Sequence, residues 1–264
     1  MNGVQKTLYI PLYGKAYVSR KGVILRDKKA EEIWEKEAFP LSGKAKSKYL
    51  AYYMGMRSAV FDRWTANQIT AFPKAVVIHI GCGMDSRVLR VDTPARRWYD
   101  VDFEPVICER RRYFEESGSY RMLSGDARKA DWLAAIPESE HAIVVMEGVS
   151  MYMDAAHLKA LTAALCAHFE QVSLLMDAYS IFAAKASKFK NPIHAVGASE
   201  VYGLNDPALL NHPGFSFAGE HDMTPQVLID ELSVAEKWVF EKLYAGKISR
   251  KLYRLYEYHT AQRP

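Results

Sequence analysis

The feature that most constrains this chain is a series of strand patterns separated by helix patterns, beginning with the run Ala75–Ile80 (AVVIHI). A continuous run of apolar, mostly β-branched residues predicts a strand that is buried on both faces. Such strands form parallel sheets with helices on both sides, and ligands bind at the carboxyl ends of the strands. Four further strands are predicted along the chain: Arg96–Asp102, Tyr120–Asp126, His141–Glu147 and Gln171–Asp177.

Helix patterns lie between and after these strands. A helix is predicted over Pro105–Glu116, because proline is favoured in the first helical turn, and another over Asp154–His168 with the aspartate as its cap. Two later strands, Gly214–Asp222 and Lys251–His259, flank a predicted helix over Pro225–Ala245. The sequence therefore predicts an α/β fold, a doubly wound and mostly parallel sheet of seven strands.

Two regions fall outside this alternation. Residues 1–72 contain the helical segments Lys28–Glu37 and Lys48–Phe72, and we expect them to form an N-terminal helical lid over the substrate. Residues 180–213, rich in Gly, Pro and Asn, are expected to form a cap inserted after the fifth strand. The sheet would then occupy residues 73–264, with the lid and the cap joined to it in one compact unit.

Composition narrows the class of protein. The chain has 264 residues, of which 49% are hydrophobic and 25% charged, as in ordinary globular proteins. No run approaches the roughly 18–20 apolar residues that cross a bilayer, and no signal-peptide core is present. Cys82, Cys108 and Cys166 match no metal-binding spacing and are interpreted as reduced thiols. We expect a cytoplasmic protein with no metal site, membrane contact or nucleic-acid partner; the oligomeric state is unknown.

Glycines or carboxylates stand at the ends of four consecutive predicted strands. Gly81 and Gly83 follow the first strand, where glycine permits a sharp turn and close approach of a ligand to the backbone. Asp102 ends the second strand, about 20 residues further on, where an acidic side chain accepts hydrogen bonds from ribose hydroxyls. Asp126 and Glu147 end the third and fourth. Together they predict a nucleoside-binding site.

Two cofactor classes fit such a site. A dinucleotide prefers a third glycine beside its pyrophosphate, but this position holds Ser86, and Asp85 would repel the phosphates. S-adenosylmethionine (SAM) has no phosphate, and its cationic groups suit an aspartate at this turn. The residues therefore favour SAM, with S-adenosylhomocysteine (SAH) as product. Two other functions remain as alternatives to a SAM-dependent enzyme: a nicotinamide-dependent oxidoreductase and a protein that binds the cofactor without catalysis.

Several motifs also resemble one family. The chain resembles the leucine carboxyl methyltransferases, and in particular a bacterial branch related to polyketide O-methyltransferases, within the class I, Rossmann-like SAM-dependent methyltransferases. The resemblance extends from about Thr7 to Glu147 and fades beyond Asp177. It is carried by these segments, in chain order: YIPLYGKAYVSR, MRSAVFD, GCGMDSRVLR, YDVDFEPVICERR and EGVSMYM.

The resemblance implies roles for residues at the methionine end of the cofactor. Arg57, in MRSAVFD, would bind the methionine carboxylate, a bidentate task that suits a guanidinium. The backbone of Gly81 would contact the amino-acid portion, and Glu147 would lie near it. Lys15 corresponds to an N-terminal lysine that contacts the cofactor.

The nucleoside end is assigned in the same way. Asp102 would bind the ribose, with Asp100 as the alternative two residues earlier, and Asp126 and Ala127 would hold the adenine. Tyr152 lies a few residues beyond the fourth strand, near the expected methyl position, and is the candidate catalytic residue; a core tyrosine is the other interpretation.

Other polar residues near the turn have a structural interpretation. Arg87 is expected to pair with Asp85 or Asp62 and so to stabilise the turn. His79 lies within the first strand and is interpreted as a core histidine. Cys82 has no neighbouring base in the sequence and is not predicted to be a nucleophile.

The predicted function is SAM-dependent O-methyl transfer to a hydroxyl or carboxyl oxygen of a small molecule. Transfer to a protein C-terminal carboxylate is the alternative within the family. The acceptor pocket is expected between the N-terminal helices and Ser180–Pro213. Aromatic side chains of the N-terminal region would either line a flat pocket or pack within the lid: Tyr49, Tyr52, Tyr53, Phe61 and Trp64.

Overall fold

The computed structural model describes residues 8–91, 97–190 and 201–261. Its centre is a seven-stranded sheet of order β3-β2-β1-β4-β5-β7-β6. Strands β1 to β5 are mutually parallel, and β7 runs antiparallel to both of its neighbours, β5 and β6. The strands are β1 (Val76–Ile80), β2 (Trp98–Asp102), β3 (Tyr120–Ser124), β4 (His141–Met146), β5 (Gln171–Tyr179), β6 (Phe215–His221) and β7 (Tyr253–Thr260).

The predicted α/β class and the seven strands are confirmed. The helices of the described residues lie before the sheet and between its strands. None of them is long and apolar enough to cross a lipid bilayer. They are α1 (Tyr9–Lys21), α2 (Lys28–Glu37), α3 (Lys48–Ala71), α4 (Arg87–Arg90), α5 (Glu104–Arg110), α6 (Ala155–His168), α7 (Ile181–Lys190), α8 (Gln226–Ile229), α9 (Val234–Leu243) and α10 (Lys247–Leu252).

Several predicted boundaries were wrong; β3, for example, ends at Ser124 and not at Asp126. The helix expected over Pro105–Glu116 ends at Arg110, whose side chain turns inward, and a turn comes after it. The helix expected over Pro225–Ala245 is interrupted, and its second part begins after Ser233. Strand β5 continues beyond Asp177, because it pairs with β7 as far as Tyr179. Of the predicted cap over residues 180–213, residues 191–200 lie outside the described residues, as does Arg96 at the predicted start of β2.

The middle strands divide the core into two layers. Every residue of β1 and β4 is buried, as the uninterrupted apolar runs predicted. Val77 and Ile143 point into one hydrophobic cluster, and Val76 and Ile78 point into the other. The first cluster also contains the buried side chains of α1, α2 and α3. The N-terminal helices therefore share a core with one face of the sheet.

Helices α1 and α3 approach each other closely at two glycines. A Cβ added at Gly14 would lie 2.7 Å from the Cβ of Met54, and one added at Gly55 would lie 2.9 Å from a methyl carbon of Val18. Real side chains do not tolerate such distances. Glycine is therefore required at this crossing for reasons of space, although it disfavours a helix by about 1 kcal/mol relative to alanine.

We predict that Gly14→Ala and Gly55→Ala each destabilise the protein by about 1–3 kcal/mol, because the added methyl group overpacks the crossing. The melting temperature measured by scanning fluorimetry should fall by several degrees. Asn67→Ala, at an exposed position of α3, is the control: it also raises helix propensity but does not act on the crossing, so the melting temperature should not fall. A rise in both glycine variants, as helix propensity alone requires, would contradict the packing argument.

Candidate active site

A single cavity of about 490 Å³ gathers the predicted site residues. It lies at the carboxyl ends of β1 to β4 and is bordered by α1 and α3. Its volume is within the range of about 300–1,000 Å³ that is usual for small-molecule sites. The predicted residues that line it are Lys15, Arg57, Gly81, Gly83, Asp102, Asp126, Ala127, Glu147 and Tyr152.

The turn after β1 requires its glycines. Gly81 and Gly83 have φ angles of +66° and +51°, in the left-handed region that side chains disfavour. A Cβ at Gly81 would also lie 2.1 Å from a methyl carbon of Val149. The turn is fixed by the Gly81 N–H, which donates to the carbonyl oxygen of Val101 at 2.7 Å. The backbone therefore borders the cavity directly at this point.

Asp102, at the end of β2, faces the cavity with a restrained carboxylate. Its Oδ2 accepts from the Gly83 N–H at 2.8 Å and its Oδ1 accepts from the Phe103 N–H at 2.7 Å. Each oxygen keeps a lone pair for a further donor. Burial raises the pKa of Asp102 to about 6. The alternative, Asp100, does not line the cavity; it is fully buried beside Arg110.

Arg57 lies between two carboxylates. Its Nε donates to Glu147 at 3.0 Å, and its Nη1 donates to Asp177 at 3.1 Å and to the hydroxyl of Tyr253 at 2.6 Å. No hydrogen bond among the described residues uses Nη2. The guanidinium was expected to present two nitrogens to a ligand, but in this geometry only Nη2 is uncommitted.

Glu147 is held by a second arginine. Arg87 Nη2 donates to it, opposite the contact with Arg57. Burial acts to raise the pKa of Glu147, but the nearby cations Arg57 and Arg87 outweigh it and lower the value to about 2. The side chain therefore remains a carboxylate throughout the physiological range.

Asp85 lines the cavity, but its carboxylate is already paired with cations and is not a free anion. It is 5% exposed, and its carboxylate contacts Lys15 Nζ at 2.7 Å and Arg90 Nη2 at 2.9 Å. Burial opposes ionisation, but Arg90, Lys15 and Arg87 hold the pKa of Asp85 well below its usual value. The argument that Asp85 would repel a dinucleotide is correspondingly weaker.

The expected structural role of Arg87 is confirmed, with both predicted partners. Arg87 is fully buried, its Nε donates to Asp62 at 2.7 Å, and its Nη2 lies 3.6 Å from Asp85. Its Nη1 donates to Nε2 of His79 at 3.1 Å, which places that histidine in the core as expected. Arg90 adds a contact of 2.7 Å to the same Asp62.

The end of the cavity at β3, away from Arg57 and Glu147, is more exposed. Asp126 lies two residues beyond β3 and forms an ion pair with Arg128 at 2.6 Å. The Gly125 N–H donates to the Asp102 carbonyl at 2.9 Å, which joins this loop to the end of β2. A Cβ at Gly125 would lie 2.6 Å from the ring of Trp132, so the loop also needs a glycine.

Sequence reasoning missed several residues of the site. Asp177 binds both Arg57 and the Gly148 N–H, and its place after an apolar strand was the available signal. Tyr179 and Tyr253 line the cavity from β5 and β7, and no sequence pattern indicated them. Further residues lie near the end of β4 or in the cap: Met151, Met153, Asp154, His157 and Tyr202.

The aromatic residues of the N-terminal region pack within the core. Tyr52, Phe61 and Trp64 are at most 4% exposed, and none of the five expected aromatics lines this cavity. Apolar side chains from the same helices and the preceding turn line it instead: Leu8, Ile10, Pro11, Leu12, Leu50 and Met54.

Known proteins resemble this chain in sequence. Residues 8–166 match the family model of leucine carboxyl methyltransferase. Over 262 residues the chain is 28% identical to the tetracenomycin polyketide synthesis O-methyltransferase TcmP of Streptomyces glaucescens, covering 98% of this chain and 97% of that one. It is 24% identical to the SAM-dependent methyltransferase dpfgK of Gibberella zeae, with 82% and 81% covered.

Solved structures share the fold. The magnesium protoporphyrin IX methyltransferase (ChlM) of Synechocystis PCC 6803, with bound SAH, superposes with a TM-score of 0.53 at 13% identity, over 94% of this chain and 97% of that one. The plantazolicin methyltransferase BamL, in complex with a triazolic desmethylPZN analog and SAH, gives 0.51 at 9% identity, over 98% of each chain. These likenesses support the Rossmann-like class I fold.

The family match covers more than half of the chain and spans all nine predicted site residues. The fold is shared with SAM-dependent methyltransferases, and the cavity lies at the carboxyl ends of the parallel strands. This chain therefore belongs to the leucine carboxyl methyltransferase family and is a class I SAM-dependent methyltransferase.

Proposed function

We propose that this protein transfers the methyl group of SAM to a hydroxyl or carboxyl oxygen of a small molecule. The observation that carries the proposal is the cavity, which joins the proposed cofactor residues to an apolar wall from α1 and α3. The relatives TcmP and dpfgK support this function, since one is named as an O-methyltransferase of polyketide synthesis and the other as a SAM-dependent methyltransferase.

The methionine end of SAM would lie between α1, α3 and β4. Nη2 of Arg57 and the two free donors of the Lys15 ammonium would bind its carboxylate. Glu147 and the backbone at Gly81 would border the amino group and the main chain of the amino acid. The nucleoside would lie along the ends of β2 and β3, with the ribose on Asp102 and the adenine beside Asp126 and Ala127.

When bound, SAM supplies a methyl group on an electrophilic sulfonium. The chain aligns the acceptor oxygen and excludes water, which are the main contributions that an in-line displacement requires. The apolar wall from α1 and α3 helps to exclude water. A carboxylate acceptor needs no base, whereas a phenol of pKa near 10 benefits from one. Two groups that line the cavity are the candidates for this base: Tyr152 and the imidazole of His157, whose Nδ1 lies 2.8 Å from Asp154.

A transfer assay tests the function directly. The protein is incubated with SAM carrying a labelled methyl group and a cell extract that has been divided into small-molecule and protein fractions. Label is expected in the small-molecule fraction, and mild alkali then distinguishes a labile ester from a stable ether. Label in the protein fraction would favour the C-terminal carboxylate alternative. Binding of SAH with no transfer to either fraction would favour a non-catalytic role.

The dinucleotide alternative needs a separate test, because the ion-paired Asp85 does not by itself exclude it. A thermal shift assay compares SAH with NAD and NADP at equal concentrations. Stabilisation by SAH alone is expected from the family. A larger shift with either dinucleotide would overturn the cofactor assignment.

We predict that Arg57→Lys weakens SAH binding at least tenfold, which corresponds to about 1.4 kcal/mol. Lysine keeps the positive charge between Glu147 and Asp177, whereas alanine would remove the cation beside the buried Asp177 and leave Glu147 with Arg87 alone. Isothermal titration calorimetry measures the effect. Arg63→Lys, on the exposed side of the same helix, should bind as the natural protein does. Equal affinity for Arg57→Lys would refute the role of Nη2.

We predict that the affinity for SAH decreases as the pH is lowered below about 6. Ribose hydroxyls donate to the ionised form of Asp102, and the pKa of that carboxyl is raised to about 6. Protonation competes with the ligand, so the Kd should be flat above pH 7 and rise about tenfold per unit below pH 6. Asp102→Asn should bind more weakly than the natural protein above pH 6 and lose this dependence. The same slope in that variant would place the titration elsewhere.

A further inference from the structure

Arg110 is fully buried and does not line the cavity, yet it reaches the cofactor turn. It ends α5 and its guanidinium lies 4.0 Å from the ring centroid of Phe114. Nε donates to the hydroxyl of Tyr120 at 3.1 Å, Nη2 donates to Asp100, and Nη1 donates to the carbonyl of Gly83 at 3.0 Å. All three nitrogens are therefore committed to acceptors within the protein.

The Gly83 backbone is held on both sides. Its carbonyl accepts from Arg110, and its N–H donates to Asp102 Oδ2 at 2.8 Å. Its φ of +51° lies in the left-handed region, and the peptide that carries its N–H is also held by the Asp85 N–H, which donates to the Cys82 carbonyl at 3.0 Å. The carbonyl and the N–H of Gly83 belong to the two peptide groups that meet at its Cα. The bond from Arg110 therefore restrains the second of these groups and, through the glycine, the turn whose N–H helps to hold the Asp102 carboxylate.

Asp100 holds Arg110 in this place. Its carboxylate is fully buried and accepts from Trp98 Nε1 at 2.8 Å and from the Tyr120 hydroxyl at 2.7 Å, in addition to Arg110. The guanidinium is thus fixed by three elements, β2, β3 and α5. A lysine or methionine at position 110 has no planar fork and cannot span the distance from Asp100 to Gly83 with the same geometry.

We propose that Arg110 is a positioning residue for cofactor binding: it holds the Gly83–Met84 peptide, and so braces the glycine turn whose Gly83 N–H restrains the Asp102 carboxylate that would bind the ribose. This inference rests on the proposed function through the role of Asp102. It assigns to a residue outside the cavity an effect on affinity that is separate from its effect on stability.

The test compares Arg110→Met with the double variant Asp100→Asn/Arg110→Met. The single variant leaves a buried carboxylate without its cation, so both stability and SAH affinity are expected to fall. The double variant removes both charges, and its melting temperature should recover most of the loss. Its affinity for SAH should stay at least tenfold below that of the natural protein, because the Gly83 carbonyl remains unheld. Arg112→Met, at an exposed neighbour, is the control and should change neither.

The pH profile gives a second measurement. Arg110 is a cation close to Asp102 and lowers its pKa, so the midpoint at which SAH affinity falls should move above pH 6 in Arg110→Met. A double variant that regains full affinity together with stability would overturn the proposal and leave Arg110 a purely structural residue. If the natural protein itself fails to bind SAH, the proposed function fails first, and the two failures are thereby distinguished.

Discussion

The rest of the structure depends on a buried network of ion pairs behind the glycine turn. Asp85, Arg87 and Arg90 come directly after the turn, and their partners are Lys15 on α1, Asp27 before α2 and Asp62 on α3. Burying ions costs several kcal/mol for each one, and removing one partner of a buried pair costs about 3–5 kcal/mol. The turn therefore holds its shape only while the N-terminal helices are in place, and the helices are anchored by the turn.

This dependence explains why an aspartate, a serine and an arginine come after the two glycines. Ser86 donates to Asp27, so even the residue at the position of the missing third glycine binds the N-terminal region rather than a ligand. Three carboxylates that line the cavity are already paired with cations, namely Asp85, Asp126 and Glu147. A ligand of the site is then selected by the donors and lone pairs that remain, such as Nη2 of Arg57 and the oxygens of Asp102.

Short-range patterns in the sequence were enough to predict the strands and the edge of the sheet that carries the site. Apolar runs, uninterrupted in β1 and mixed with polar residues in strands such as β3, identified the strands. Because parallel strands bring their carboxyl ends to one edge, Gly81, Asp102, Asp126 and Glu147 were placed together correctly. Contacts between distant segments could not be predicted in this way. Lys15, one of the partners of Asp85, lies 70 residues away from it in the chain. Tyr253 joins the site only because β7 pairs with β5, and the N-terminal aromatics pack because small residues let α1 approach α3.

Asp100 and Asp102 show how register separates two residues that the sequence left as alternatives. Both point to the same side of β2, but Asp100 pairs with His79 and Met122, inside the sheet. Asp102 lies beyond the last residue pair of β1 and β2, level with the turn. The inner carboxylate meets a buried arginine, and its pKa falls to about 2 despite burial; the outer one meets only backbone donors, and burial raises its pKa to about 6. A step of two residues along β2 therefore separates a structural charge from one that a ligand can use.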